Sequence, residues 1–184
     1  MAETASNMLP LGTRAAPFNL MDTISGKKVS LEDVKSHIAT LVMFICNHCP
    51  YVKHVQKELV RLANDYQSKG VSFVAISSND AKNYPDDSPE KMKEVALDFG
   101  YPFPFLYDET QEVARAYNAA CTPDFYLFDK DLLLVYRGQL DDSRPGNTIP
   151  VTGRDIRNSL DNIIASKPVS TDQKPSIGCN IKWK

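Results

Sequence analysis

The sequence is poor in cysteine, has no excess of basic residues and contains no long apolar run. Four of its 184 residues are cysteine, too few for a disulfide scaffold, and a chain of this length can bury a full core without disulfides. Lys and Arg number 21 against 23 Asp and Glu, whereas nucleic-acid binding generally requires a basic excess. No apolar run reaches the about 18 residues of a transmembrane helix. These absences disfavour nucleic acid and membranes as partners.

The two ends of the chain carry little regular pattern. Residues 1–14 lack the basic region and the apolar stretch of about 7–15 residues that define a signal peptide, so we expect a cytoplasmic protein. The length predicts one domain over residues 1–184. The small and polar start predicts a flexible segment over residues 1–10. Residues 167–184 form a C-terminal extension, and Trp183 indicates that this tail packs on the domain.

The middle of the chain predicts a β-α-β unit. Residues 39–45 and 71–77 are almost continuously apolar, as in strands covered on both faces. A strand, a helix and a second strand in this order imply parallel strands joined by a right-handed crossover. Between the two runs, apolar side chains recur at steps of three or four residues, as in an amphipathic helix: Val52, Val55, Leu59, Leu62 and Tyr66.

Strand and helix signals surround this unit. Residues 17–21 and 28–30 predict an N-terminal β-hairpin, and residues 125–128 and 132–137 predict a second hairpin. Residues 103–107 predict a short strand whose proline suits the edge of a sheet. The sequence therefore predicts an α/β fold with a mixed central sheet flanked by helices. Helical patterns recur in three further segments: 89–99, 111–117 and 156–164.

Cys46 and Cys49 lie where the first central strand passes into the helix. If Cys46 caps this helix, unpaired backbone N–H groups and the helix dipole favour its thiolate, and a lowered pKa makes Cys46 a nucleophile. Cys49, in the first turn, would then resolve a mixed disulfide, and His48 would stabilise the thiolate. A C-x-x-C motif in a β-α-β context predicts a redox role.

Two other interpretations of the cysteines stay open. Zinc would need Cys121 and Cys179 as further ligands, but these lie far apart in the sequence and no second C-x-x-C is present. Inert buried cysteines are the other interpretation, which the polar residues around the motif disfavour. We therefore expect no metal and no cofactor, and keep a non-catalytic module that binds metal or a partner as an alternative.

Several motifs together resemble the thioredoxin-like superfamily. The C-x-x-C at a strand end, Thr122–Pro123 before a strand, and a hairpin followed by a last helix are similar to the thioredoxin fold. Residues 16–22 and 26–31 resemble the opening of its AhpC/TSA and TlpA/ResA-like branch. Residues 44–52 and 178–183 resemble a peroxiredoxin-like subgroup of that branch. The resemblance covers nearly the whole chain and implies a thioredoxin-like fold.

The resemblance also implies a thiol–disulfide oxidoreductase, with Cys46 as the attacking cysteine and Cys49 as the resolving cysteine. Pro123 would be a cis-proline beside the pair, and the Thr122 backbone would pair with a bound substrate chain like an added strand. The implied substrates are protein or small-molecule disulfides and dithiols, and an external thiol would act as the reductant.

Four further residues are expected at or near this site. Asn47 and His48 lie inside the motif and are predicted to contact the substrate. Cys121 neighbours the predicted cis-proline, and Cys179 lies in the tail that resembles the subgroup. Both are therefore candidates for secondary redox partners.

Two departures from the family pattern bear on the activity. Thioredoxins carry a buried acid on the strand before the cysteines, and the matching position here is Thr40 or Met43, so proton transfer needs His48, His54, water or another carboxylate. Peroxiredoxins place Pro and Thr or Ser just upstream of their peroxidatic cysteine, and residues 39–45 lack that arrangement. We expect dithiol–disulfide exchange, and keep as the alternative an antioxidant peroxidase in which the first cysteine of the motif attacks peroxide.

Overall fold

A central sheet of seven strands carries helices on both faces in the computed structural model, which describes residues 3–184. The strands are β1 (Glu3–Ala5), β2 (Asn19–Asp22), β3 (Lys28–Ser30), β4 (Ala39–Phe44), β5 (Val71–Ser77), β6 (Phe105–Tyr107), β7 (Cys121–Thr122), β8 (Asp124–Asp129), β9 (Leu134–Gly138) and β10 (Ile177–Asn180). The helices are α1 (Leu31–Val34), α2 (Pro50–Gln67), α3 (Pro89–Phe99), α4 (Glu112–Ala116) and α5 (Arg154–Ile164), with a short 3-10 helix at Pro85–Asp87.

The central sheet has the strand order β3-β2-β6-β5-β4-β8-β9. Strands β4, β5 and β6 are parallel, whereas β8 runs antiparallel to β4, so the predicted mixed sheet and the parallel β-α-β unit are confirmed. The predicted edge position of the strand after Pro104 is wrong, because β6 lies between β2 and β5. Pro104 precedes β6, so its missing N–H is not needed in the ladder, and its carbonyl accepts a hydrogen bond from Ala75.

Strand β4 is buried along its whole length. Leu41 and Met43 pack into a core on the face that α2 covers. Val42 and Phe44 pack into a second core on the opposite face, where Phe44 contacts the ring of Tyr117. Burial on both faces explains the continuous apolar run. This interior strand leads directly into the cysteine motif and so gives the motif a rigid support.

Helix α2 follows the predicted pattern, since the five apolar residues expected on one face are all buried. Helix α3 begins as expected at Ser88, whose hydroxyl accepts a hydrogen bond from the Lys91 N–H. It ends at Gly100, which has φ of 64° in the left-handed region that glycine tolerates. Within residues 3–184, no helix combines the length and the apolar character needed to cross a membrane.

The two chain ends meet in a separate sheet of three strands, ordered β1-β10-β7. Flexibility is predicted for residues 1–10, but Glu3–Ala5 form β1 and pair antiparallel with β10. The Ser6 N–H extends this contact by donating to the Ser176 carbonyl. The three residues of β1 are too few to show an alternating pattern in the sequence. The strand is identified only by its pairing with β10, which is distant in the chain. Residues 1 and 2 lie outside the described residues. The predicted N-terminal hairpin (β2–β3) and the packed tail are both present.

Leu59 and Leu97 provide a matched test of the core that supports the motif. Leu59 is fully buried in α2, whereas Leu97 on α3 is 60% exposed. We expect Leu59→Ala to lower the free energy of unfolding by about 2–5 kcal/mol, because it removes buried methyl groups and leaves a cavity. Leu97→Ala should change it by no more than about 0.5 kcal/mol. Urea unfolding of both variants measures the difference, and equal losses would contradict the described core.

Candidate active site

Cys46 and Cys49 lie in the turn between β4 and α2, and both are buried. Cys49 is the N-cap of α2 and Pro50 takes the first helical position. The expectation that Cys46 caps the helix is therefore wrong. The physical reason is that proline favours a helix start and carries no N–H to be satisfied, so the helix begins after the motif instead of within it.

Cys49 is the cysteine whose charged form this environment favours. The pKa of Cys49 is lowered to about 5, mainly because the Cys46 thiol donates a hydrogen bond to its sulfur. Burial acts in the opposite direction, while contacts from the Cys179 thiol and the Val52 N–H lower the pKa further. The Thr122 carbonyl oxygen, 3.2 Å from Cys49 Sγ, accepts a hydrogen bond when Cys49 is a thiol. The helix N-terminus and the neighbouring thiols outweigh this contact.

Cys46 is shifted in the opposite direction. Its thiol donates to Cys49, and this hydrogen bond, burial and the negative charge of Asp87 raise its pKa well above the usual value. The Thr122 hydroxyl lies 3.3 Å from Cys46 Sγ and partly offsets the shift. The structure therefore favours Cys49 as the thiolate and Cys46 as the thiol, the reverse of the sequence-based expectation.

Asp87 is the buried acid of the site, and the sequence prediction missed it. It accepts hydrogen bonds from the backbone N–H groups of Asn47 and His48, from the Asn79 amide and from His48 Nδ1, the last at 2.5 Å. Burial alone would raise its pKa, but the His48 and Asn79 contacts hold the pKa of this carboxyl below its usual value. Asp87 ends the short 3-10 helix before α3 and reaches the motif only through the tertiary fold. No local sequence motif therefore predicts its role.

His48 is held in one orientation by two neighbours. Asp87 binds Nδ1, and the ring of Tyr84 stacks on the imidazole at a centroid distance of 5.3 Å. Nε2 is buried and has no hydrogen-bond partner among the described residues. With Nδ1–H donating to Asp87, Nε2 is the ring atom that can accept a proton.

Metal binding is the alternative role for the cluster of Cys46, His48 and Asp87. Cys46 Sγ, a ring nitrogen of His48 and a carboxylate oxygen of Asp87 all lie within 4.8 Å of one another. Each oxygen of Asp87 already accepts two hydrogen bonds. A metal ion would have to displace donors from a saturated carboxylate, so the arrangement favours a hydrogen-bonded network over a metal centre.

Thr122, which precedes Pro123, contacts the sulfurs of both motif cysteines. The Thr122–Pro123 peptide bond is cis, as the resemblance implies. Strand β7, which contains Thr122, pairs antiparallel with β10, and Cys179 lies directly opposite Thr122. The Sγ atoms of Cys179 and Cys49 are 2.9 Å apart. The tail thus contributes a third thiol to the site.

Comparisons with known proteins agree with this arrangement. The model of the AhpC/TSA family matches residues 11–137. The chain belongs to the AhpC/TSA family. A search of curated proteins finds no match. An uncharacterized conserved protein from Geobacillus kaustophilus is 70% identical, with a TM-score of 0.99 over 100% of this chain and 97% of that one.

More distant structures show that the fold is thioredoxin-like. The thioredoxin domain of a thiol-disulfide oxidoreductase from Bacteroides vulgatus is 21% identical, with a TM-score of 0.60 over 74% of this chain and 90% of that one. A peroxidoxin from Mycobacterium tuberculosis is 16% identical, with a TM-score of 0.62 over 85% of this chain and 96% of that one. Both structures therefore share this architecture.

In this AhpC/TSA member, most of the predicted site residues come together. Six of them lie around the start of α2: the two motif cysteines, Asn47, His48, Thr122 and cis-Pro123. The two secondary candidates differ. Cys179 reaches Cys49, whereas the hydrogen-bond partners of Cys121 Sγ within residues 3–184 are the carbonyls of Pro123 and Ser176, at 3.7 and 4.0 Å. Burial raises the pKa of Cys121 far above its usual value, which disfavours its thiolate.

The low pKa of Cys49 predicts a titration that can be observed directly. We expect the reduced protein to lose one thiolate, seen as ultraviolet thiolate absorbance, as the pH falls through about 5. A lowered pKa means that the folded state gains stability from this group above the unfolded pKa and loses it as pH falls through the folded pKa. Cys49→Ser should remove the step, and Cys121→Ser should keep it. A step that survives in Cys49→Ser and disappears in Cys46→Ser would contradict the assignment.

Asp87 and its exposed neighbour Asp86 offer a matched test of the buried network. We expect Asp87→Asn to lower the free energy of unfolding by about 2–4 kcal/mol, because its amide would face buried N–H donors that need an acceptor. Asp86→Asn should have little effect, since its side chain is exposed. Chemical unfolding at neutral pH gives both values. A loss at Asp86 equal to that at Asp87 would show that the network does not stabilise the fold.

Proposed function

We propose that this protein is a thiol–disulfide oxidoreductase in which Cys46 and Cys49 form the redox pair. The observation that carries the proposal is the placement of both motif sulfurs against the residue before a cis-proline: Cys46 Sγ lies 3.3 Å from the Thr122 hydroxyl and Cys49 Sγ lies 3.2 Å from the Thr122 carbonyl oxygen. The opposite pKa shifts of the two thiols agree with it. Membership of the AhpC/TSA family supports a redox enzyme. The description of the Bacteroides vulgatus relative as a thiol-disulfide oxidoreductase supports the same class.

The reaction begins with attack by Cys49. Its thiolate attacks one sulfur of a substrate disulfide, which forms a mixed disulfide and releases the other substrate sulfur as a thiolate. Cys46 then loses its proton and attacks Cys49 Sγ, so that the Cys46–Cys49 disulfide forms and the second substrate sulfur leaves. Two electrons have passed to the substrate, and two thiols of an external reductant restore the pair.

Cys46 needs a proton acceptor before it can act, and His48 supplies one. The Asp87 contact leaves Nε2 free to accept. Cys46 Sγ, one ring nitrogen of His48 and one carboxylate oxygen of Asp87 lie within 4.8 Å of one another, so this pair is the proposed acceptor of the Cys46 proton. This pair therefore replaces the buried acid that the sequence lacks on β4. In the reverse direction, the same residues oxidise a substrate dithiol.

Protein or small-molecule disulfides and dithiols are the proposed substrates, as the resemblance implies. The proposed compartment is the cytoplasm, where an external thiol can reset the pair and a disulfide that cycles is ordinary chemistry. Asn47 is proposed to bind the substrate through its amide oxygen, because Oδ1 is buried and has no hydrogen-bond partner among residues 3–184, while Nδ2 donates to the Asp86 carbonyl.

Peroxide reduction is the second candidate, favoured by the same stabilised thiolate. Cys49 would attack a peroxide oxygen, become a sulfenic acid and release an alcohol or water. The Cys46 thiol would then condense with it to the disulfide and release water. Exchange is preferred because the chain lacks the Pro and Thr or Ser positions upstream of a peroxidatic cysteine.

Insulin reduction with dithiothreitol tests the proposed function. We expect wild type to accelerate it, Cys46→Ser and Cys49→Ser to fall to the uncatalysed rate, and Cys121→Ser to remain at the wild-type level. Peroxide consumption is measured in parallel on the same four proteins. Turnover of peroxide alone would assign the peroxidase, and turnover in neither assay would overturn both candidates.

A further inference from the structure

We propose that Cys179 is a third catalytic cysteine, carried on an internal substrate strand. This inference rests on the proposed function and extends it. Strand β10 pairs with the Thr122 backbone, the edge that is expected to receive a substrate chain. Cys179 then forms a reversible disulfide with Cys49. The tail thus supplies a thiol in contact with Cys49, and it also occupies the strand edge beside the active site.

The position of Cys179 is the first support. Its Sγ lies 2.9 Å from Cys49 Sγ, while among the described residues the Sγ of Cys121, one residue before Thr122, is hydrogen-bonded to carbonyls and to no thiol. Cys46, Cys49 and Cys179 are 2%, 0% and 3% exposed, so no external disulfide can reach the pair while β10 is in place. A thiol held in contact has an effective concentration far above that of any thiol in solution.

The fit of Gly178 is the second support. A Cβ at this position would lie 2.0 Å from the Thr122 carbonyl oxygen and 3.1 Å from the Pro123 nitrogen. Gly178 does not have the positive φ that would itself require glycine. The reason for glycine here is therefore close approach of the tail to the active-site edge. Any larger side chain would push Cys179 away from Cys49.

The segment after β10 limits how far Cys179 can move. The Ile181 N–H donates to the Ala120 carbonyl, and the Lys182 N–H donates to Asn79 Oδ1. The guanidinium of Arg115 lies 4.5 Å from the ring centroid of Trp183. These contacts anchor the tail beyond the strand. Local opening of β10 would therefore expose Cys49 while Cys179 stays near enough to return.

The step itself is a thiol–disulfide exchange that needs no additional oxidant. The Cys179 thiolate attacks Cys49 Sγ of the Cys46–Cys49 disulfide. The Cys49–Cys179 bond forms, the Cys46–Cys49 bond breaks, and Cys46 leaves as a thiolate that takes up the proton lost by Cys179. One disulfide exists before and after the step. Cys46 is then free, and an external thiol can reduce the tail disulfide.

The charge state of Cys49 affects how easily the Cys179 thiol loses its proton. Burial first, and then the hydrogen bond and charge of Cys49, raise the pKa of Cys179 to about 12. Once Cys49 is in a disulfide, its negative charge and its capacity to accept this hydrogen bond are lost. Two of the causes that keep Cys179 protonated then disappear, so oxidation of the pair itself favours the attack.

Disulfide mapping on the full chain tests the inference. All variants carry Cys121→Ser, are equilibrated in a glutathione redox buffer, quenched in acid, alkylated and digested for mass spectrometry. With Cys46→Ser, we expect an intramolecular Cys49–Cys179 disulfide to exceed the Cys49–glutathione adduct more than tenfold. Adding Gly178→Ala should reverse that ratio, while adding Thr171→Ala, an exposed change in the same tail, should leave it unchanged.

Two further outcomes separate this inference from the proposed function. A folded Cys46→Ser protein that carries only glutathione at Cys49, or only intermolecular disulfides, would overturn the role of Cys179. Cys179→Ser with the pair intact should still form the Cys46–Cys49 disulfide. Failure of that disulfide in both Cys179→Ser and wild type would overturn the proposed function. Circular dichroism of each variant shows that it is folded, and Cys179→Ser keeps the test decisive if Gly178→Ala does not fold.

Discussion

Contact with Thr122 is the constraint on which the whole site depends. Its hydroxyl lies 3.3 Å from Cys46 Sγ, and its carbonyl lies 3.2 Å from Cys49 Sγ. Its backbone pairs with the strand that carries Cys179. One residue therefore contacts two of the thiols and pairs with the strand that carries the third. Its hydroxyl also lowers the pKa of Cys46 and partly offsets the larger causes that raise it, so Thr122 contributes to both the shape and the electrostatics of the site.

A second network connects the thiols to the tail through Asp87. The Asn79 amide donates to Asp87 on one side, and its oxygen accepts the Lys182 N–H on the other. The carboxylate that orients His48 and raises the pKa of Cys46 is thus one side chain away from the tail. This buried network connects the cysteine turn to the segment that follows β10.

The elements that the sequence predicted share a long and regular pattern. Helix α2 is predictable because its apolar spacing spans several turns, and β4 because its residues form an almost continuous apolar run, which the structure buries along its whole length. The misses have equally specific causes. Strand β1 is too short for a pattern, and Cys49 replaces Cys46 as the cap because Pro50 sets the helix start. Asp87 has no local sequence signal, because Asn47 and His48, which it contacts, lie 40 and 39 residues away in the sequence.

The sequence by itself determined the α/β order of elements, the family and the pair of cysteines at the start of a helix. Periodicity and local motifs carry that information, since it lies within a few neighbouring residues. Only the tertiary structure decided which residues from outside the motif contact each sulfur, that Asp87 is buried against the motif, and that Cys179 reaches Cys49. Each of these depends on contacts across more than thirty residues of chain, such as Cys49 with Cys179, and no local pattern encodes such a distance.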